Sequence, residues 1–140
     1  MNPEKIKLWT GNYGRLKGRP VPVVSISLRQ PPGWGAVPVF DRLVPLYWML
    51  RLKPRDYLRE YRKLILEKLK PETVAEKLNG YVLLCYEKPN EFCHRRIVAE
   101  WLEKGLGVAV PEWGLSEPQL TVEEMIRGVT RGGQQSLKLL

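Results

Sequence analysis

The sequence has few of the residues that most often hold small folds together through covalent or metal links. Its 140 residues include two cysteines and one histidine. A disulfide scaffold is therefore excluded, and a chain of this length buries enough surface to form a core without one. No apolar run approaches the roughly 20 residues of a membrane helix, because charge or proline interrupts each run. The first residues lack the apolar segment of a secretion signal, so we expect a cytoplasmic protein with no membrane partner.

Acidic residues are scarce in the first half of the chain. Residues 1–70 contain 15 Lys and Arg against 5 Asp and Glu, whereas residues 71–140 contain 8 against 10. The formal net charge is +8. An electropositive half favours polyanionic partners such as nucleic acid, but lysines and arginines also solvate the outer faces of helices. The charge alone leaves both interpretations open.

Hydrophobic patterning alternates between strands and helices along the chain. Strands are predicted at residues 6–10, 21–28, 81–86 and 108–110. Helices are predicted after Pro45, after Pro54, from Pro71 to Asn79, from about Glu91 to Lys104, and from Thr121. This order predicts an α/β fold: a single three-layer domain with a small, largely parallel sheet flanked by helices. We expect the domain to span residues 1–115, and residues 116–140 to form a C-terminal helix and a flexible tail.

The segment Cys85–Arg96 follows the apolar central strand and opens the next helix. Ligands of parallel sheets bind beyond the carboxyl ends of the strands, where helix N-termini also point. Helical spacing places His94 on the apolar face, Arg95 at its rim and Arg96 toward water. Cys93 lies in the opening turn beside two arginines, an environment that favours its thiolate.

Several interpretations of these side chains are open from spacing alone. His94 either bonds a backbone carbonyl or Glu87 in the core, or moves protons at a ligand. Cys93 is a nucleophile, the wall of an anion site or an inert thiol, and Cys85 is expected to be plain core. A zinc site would need a carboxylate beside Cys85, Cys93 and His94, since there is no CxxC pair or second histidine, so no metal is predicted. A Cys85–Cys93 disulfide would fit a protein from a hot organism.

The same segment resembles the signature of the family named domain of unknown function 488. That signature is a leucine-rich strand, C-[YF]-E-K, a short loop, C-H-R and an A-[ED]-W-L helix, which here are Leu83–Arg95 and Ala99–Leu102. Shorter segments agree as well, at Asn12–Arg15, Ser25–Pro32, Leu43–Pro45 and Tyr57–Tyr61. The resemblance covers about residues 5–113 and implies a small soluble α/β protein of the kind found in prokaryotes and their viruses.

The resemblance assigns no function but marks polar positions. Those positions are Asn12, Arg15, Arg29, Glu87, Cys93, His94 and Arg95. Because they follow strands or begin a helix, we expect a parallel sheet to gather them into one pocket.

Such a pocket suits a phosphorylated small molecule such as a nucleotide, with no cofactor. Arg15, Arg29 and Arg95 would clamp phosphate, and Trp34 would stack on a base. Glu87 and His94 would exchange protons and Cys93 would be the nucleophile if the pocket is catalytic.

Two other functions are compatible with the sequence. A nucleic-acid-binding module would use the basic half, with Arg55, Arg59 and Arg62 on one helix. A partner-binding protein would need the motif residues only to hold its fold. The oligomeric state is left open.

Overall fold

A three-stranded parallel sheet organises the molecule, which we describe from a computed structural model covering residues 5–87 and 89–129. Its strands are β1 (Trp9–Asn12), β2 (Val23–Ser25) and β3 (Val82–Cys85). The order is β1-β3-β2, and both neighbouring pairs are parallel. The predicted small α/β domain is therefore confirmed. The apolar run of β3 is central and fully buried, as its composition predicts.

Isolated β-bridges widen the sheet by one residue pair at each edge. Ser25 pairs with Val39 beyond β2, and Thr10 pairs with Glu112 beyond β1. The strand predicted at residues 108–110 does not form, and the chain pairs two residues later. Thr10 N–H donates to the Pro111 carbonyl and Trp113 N–H to the Thr10 carbonyl. Pro111 has no N–H of its own with which to continue a ladder.

Besides the strands, the part of the chain that the structure describes contains five α-helices and three 3₁₀ turns. The helices are α1 (Tyr13–Leu16), α2 (Pro54–Leu64), α3 (Pro71–Leu78), α4 (His94–Leu106) and α5 (Val122–Ile126). The 3₁₀ turns are Asp41–Leu43, Tyr47–Arg51 and Leu66–Lys68. Proline begins α2 and α3, where its missing N–H costs nothing. Gly107 ends α4 in the left-handed region at φ 69°.

The two faces of the sheet are covered unequally, which gives three layers. On one face, Leu83 and Val24 belong to the larger apolar core built with α2, α3 and α4. On the other face, Val82 and Leu84 pack with Tyr13 and Leu16 of α1, together with partly buried tryptophans. The alternation of β3 side chains between two cores explains why the whole strand is apolar.

The loop after β1 and the start of α4 differ from what the sequence predicts. The residues predicted as a loop after β1 contain α1, whose N-cap Asn12 accepts a hydrogen bond from Arg15 N–H. The helix predicted from about Glu91 begins only at His94, because Asn90 has a left-handed backbone with φ 67° and Cys93 is extended. Asn90 Oδ1 also accepts from Leu120 N–H at 2.8 Å, which fixes the loop ahead of α4.

The C-terminal helix packs on the domain rather than standing apart from it. It begins after Thr121, as the sequence predicts, and Thr121 and Glu124 form a capping box there. The Val122 N–H donates to Glu100 Oε2 of α4 at 2.7 Å. Residues 130–140 of the predicted tail lie outside the described residues. Within the described ranges, none of the helices combines the length and apolarity that crossing a membrane requires.

Candidate functional site

A cavity of about 520 Å³ opens at the carboxyl edge of the sheet. Its floor comes from the ends of β2 and β3 and from the start of α4, and one wall comes from the segment 45–57. The lining polar or reactive residues are Ser27, Arg29, Tyr47, Tyr57, Cys85, Tyr86, Glu87, Cys93 and His94. Four of the predicted site residues therefore share one cavity: Arg29, Glu87, Cys93 and His94.

A buried hydroxyl network holds the loop that carries Arg29. The Tyr13 hydroxyl lies 2.7 Å from Ser25 Oγ and 2.6 Å from Ser27 Oγ. Ser27 Oγ donates to the Arg29 carbonyl at 2.7 Å, and Gln30 Nε2 donates to Ser25 Oγ at 3.2 Å. The backbone of Arg29 is thus fixed while its guanidinium stays exposed at the cavity.

His94 is the first residue of α4 and is oriented through both ring nitrogens. Its Nε2 lies 2.6 Å from the Ile26 carbonyl oxygen, and its Nδ1 lies 3.4 Å from Cys85 Sγ. A carbonyl oxygen can only accept, so Nε2 carries the ring proton. In the neutral ring Nδ1 is then an acceptor that faces the thiol of Cys85.

Both cysteines line the cavity as buried, reduced thiols. Cys85 Sγ lies 3.4 Å from Glu87 Oε2 in addition to its contact with His94. Cys93 is the N-cap residue of α4, but its side chain makes no capping hydrogen bond. Its sulfur instead faces the other two groups, and the donor atoms of Cys85, Cys93 and His94 all lie within 4.8 Å of one another.

The sequence indicates a thiolate at Cys93, but the structure favours the protonated thiol. Burial raises the pKa of the Cys93 thiol well above its ordinary value of 9.0, and the neighbouring Cys85 raises it further. His94 and Arg95 act in the opposite direction but more weakly. Desolvation outweighs the helix N-terminus and the nearby cations, so Cys93 is a thiol at neutral pH.

The two arginines that follow His94 point into the protein. Arg95 is fully buried in an ion pair with Glu112, with Nη2 to Oε2 at 2.7 Å and Nε to Oε1 at 3.1 Å. Arg96 does not face water as predicted, because the segment 110–112 covers the first turn of α4. Its Nη1 donates to Thr10 Oγ1 and to the Val110 carbonyl, both at 2.8 Å.

The remaining predicted ligand residues do not line the cavity. Asn12 caps α1, Arg15 is exposed, and neither lines the cavity. Trp34 packs edge-on to Tyr13, with ring centroids 5.3 Å apart. The three-arginine clamp is therefore not assembled, and Arg29 is the one member of it at the cavity.

The cavity also contains residues that the sequence does not single out as site residues. Cys85 was expected to be plain core, although the two-residue spacing of Cys85 and Glu87 puts their side chains on one side of the chain. Tyr57 lines the cavity and packs edge-on to Phe92 at 5.7 Å. Its placement depends on how α2 docks on the sheet, for which the sequence carries no local signal.

The basic face of α2 is partly neutralised by acidic neighbours. Arg55 Nη2 lies 2.7 Å from Glu123 Oε1, and Arg59 pairs with Asp56 and Glu60 at 3.1 and 3.0 Å. Arg62 lies on the same exposed groove as these two arginines. The arginines proposed for nucleic acid thus carry less free charge than the sequence indicates.

Fold and site together define a small α/β protein with a thiol- and imidazole-lined cavity at the strand ends. In comparisons with known proteins, the chain matches no family model, no curated protein and no solved structure.

Proposed function

We propose that the protein binds a small phosphorylated organic molecule, such as a nucleotide, in this cavity and acts on it there. One observation carries the proposal: Arg29, Glu87, His94 and both thiols line a single cavity of about 520 Å³ at the carboxyl edge of a parallel sheet. The resemblance to the family named domain of unknown function 488 supports it, because four of its polar motif positions meet there.

The two sides of the cavity suit the two parts of such a ligand. Arg29 offers a fixed backbone and a free guanidinium, which favours a phosphate group. A second part of the cavity wall is apolar and aromatic, with Leu50, Leu52, Tyr57 and Phe92. That wall favours a planar or apolar moiety, so inorganic phosphate alone would leave much of the cavity unfilled.

The chemistry available at the ligand is proton transfer and thiol chemistry. Glu87 is half-buried at the cavity and contacts the Cys85 thiol, and the His94 Nδ1 faces the same sulfur. A nucleophile beside an acceptor nitrogen, with that ring oriented by a third group, is the arrangement of a thiol activated by histidine. Cys85 has that arrangement here, whereas Cys93 was the expected nucleophile.

Binding is tested by calorimetry with a set of nucleoside monophosphates and sugar phosphates. At least one compound is expected to bind, and Arg29→Gln is expected to weaken that binding by about 10- to 150-fold, the value of a hydrogen bond to a charged group. The matched control is Arg19→Gln, which removes the same charge from an exposed residue outside the cavity lining. Equal losses in both variants, or no binding of any compound, would contradict the proposal.

A further inference from the structure

Cys85, Cys93 and His94 have the donor types of a zinc site and lie close together. Each offers one ligand atom, and the three atoms lie within 4.8 Å of one another. With Zn–S distances of about 2.3 Å and Zn–N of about 2.0 Å, tetrahedral ligands are about 3.5 to 3.8 Å apart. The measured 3.4 Å between His94 Nδ1 and Cys85 Sγ is close to that separation.

The surroundings of His94 orient it for metal binding. Zinc-bound histidines donate their second ring N–H to a carbonyl or carboxylate, which fixes the tautomer and the ring plane. His94 donates Nε2–H to the Ile26 carbonyl at 2.6 Å, so the lone pair of Nδ1 is free at the nitrogen that lies 3.4 Å from Cys85 Sγ.

The fourth position of such a site lies on the cavity. Glu87 Oε2 contacts Cys85 Sγ at 3.4 Å, but the carboxylate is not part of the three-atom donor group. The sequence argues against a zinc site because it offers no second histidine or CxxC pair to complete a set of four protein ligands. Catalytic zinc sites use three protein ligands and leave the fourth position to water or substrate, and a Cys₂His set is one of those in use.

We propose that Cys85, Cys93 and His94 bind one Zn²⁺, with the fourth position open to the cavity and Glu87 beside it. Binding replaces the two thiol protons, so two protons are released for each ion bound. A water at the open position would be acidified by the metal, and Glu87 is placed to accept its proton. The metal site stands on its own donors and does not depend on the phosphorylated ligand proposed above, but while Cys85 and His94 hold the ion they do not act as the nucleophile and base described there.

Cobalt(II) is the probe, because its thiolate complexes absorb where the metal-free protein does not. Titrating the reduced, chelator-treated full chain is expected to saturate at one Co²⁺, with thiolate-to-cobalt charge-transfer bands and the visible bands of tetrahedral cobalt. One equivalent of Zn²⁺ should abolish both. Cys85→Ser and Cys93→Ser should each weaken binding by more than about 100-fold, beyond the 10- to 100-fold of a lost outer partner.

A second measurement on the unchanged chain keeps the test independent of variants that fail to fold. Zinc should protect both cysteines from a thiol reagent under native conditions, and a chelator should restore their reactivity. Arg29→Gln is the matched control, expected to leave the cobalt titration unchanged while it weakens anion binding, so the two proposals fail separately. A cobalt spectrum without thiolate bands, or reduced thiols that zinc does not protect, would overturn the metal site. Conversion of the pair to a disulfide with no metal uptake would also overturn it.

Discussion

At the scale of single residues, the residue that follows His94 in α4 forms a buried ion pair. Arg95 and Glu112 are both almost completely inaccessible, and Glu112 Oε1 also accepts from Thr10 Oγ1 at 2.6 Å. Burying two charges is costly, and the cost is offset only while both partners and their hydrogen bonds are present. The pair therefore makes the molecule intolerant of losing either member.

Glu112→Gln is expected to destabilise the protein by about 3–5 kcal/mol, because it leaves the Arg95 cation buried without its counter-charge. Urea unfolding followed by circular dichroism measures the change. Glu123→Gln is the matched control: it removes the same charge from an exposed pair with Arg55 and should leave the midpoint unchanged. Equal unfolding midpoints in the two variants would show that the buried pair matters no more to stability than the exposed one.

Restoring apolar surroundings should recover what the single change removes. The double variant Arg95→Met with Glu112→Leu takes away both charges and fills similar volume, and buried pairs replaced in this way are often neutral or stabilising. We expect the double variant to be more stable than Glu112→Gln in the same urea experiment. A double variant less stable than the single one would show that the hydrogen bonds, and not the charges, dominate.

At the scale of elements, α3 and α4 approach closely at a glycine. A Cβ added to Gly105 would lie 2.7 Å from Cγ and 2.9 Å from Cβ of Pro71, the first residue of α3. The rigid proline ring cannot rotate away, so the helices would have to separate. Gly105 is thus kept for packing, against its helix propensity.

Gly105→Ala is therefore expected to lower the unfolding free energy, although alanine in a helix interior ordinarily gains about 1 kcal/mol over glycine. Gly14→Ala in α1 is the control, since nothing lies within 4 Å of its added Cβ. That control should be neutral or stabilising in the same denaturant experiment. A stabilising Gly105→Ala would mean that the α3–α4 contact yields at no cost.

The elements differ in how far sequence alone predicts them. The apolar run of β3 and the proline-initiated helices α2 and α3 follow from periodicity and local stop signals, and each is present. The start of α4 does not, because the left-handed backbone of Asn90 and its hydrogen bond to Leu120 decide it. The short α1 was missed although its N-cap Asn12 is a local signal.

The candidate site divides in the same way. Arg29, Glu87 and His94 could be placed because parallel strands bring their ends to one edge. Arg95 could not, because its partner Glu112 lies 17 residues further on with no motif around it. Helical spacing shows which side chains share a face of a helix. It does not show which later segment of the chain packs on that face.

At the scale of the whole molecule, buried tyrosine and cysteine side chains make the protein less stable at high pH. Burial raises the pKa of Tyr61 and of Tyr57 above the ordinary 10.0, and that of Cys93 above 9.0. Below those ordinary values the folded and unfolded chains are equally protonated. Above them the unfolded chain loses its protons first, so the free energy of unfolding falls as pH rises.

We expect the urea midpoint of the chelator-treated protein to fall steadily between about pH 8.5 and about pH 10.5. Tyr57→Phe removes one contributing group and should make that fall shallower. The comparison is between slopes, so a loss of packing in the variant does not affect it. A midpoint independent of pH over this window would contradict the assignment of these groups as buried and protonated.

The hydrogen bond from Thr10 to Glu112 spans 102 positions of the chain. Because β1 and β2 both pair with β3, the emerging chain has no sheet until residue 85 is made, and the β1 edge then stays open until residue 112 is made. Thr10 and Arg95 lack their hydrogen-bond partner Glu112 until residue 112 has left the ribosome. Because parallel pairing waits on such distant contacts, we expect chains stopped before Glu112 to stay protease-sensitive and the completed chain to fold as one late event.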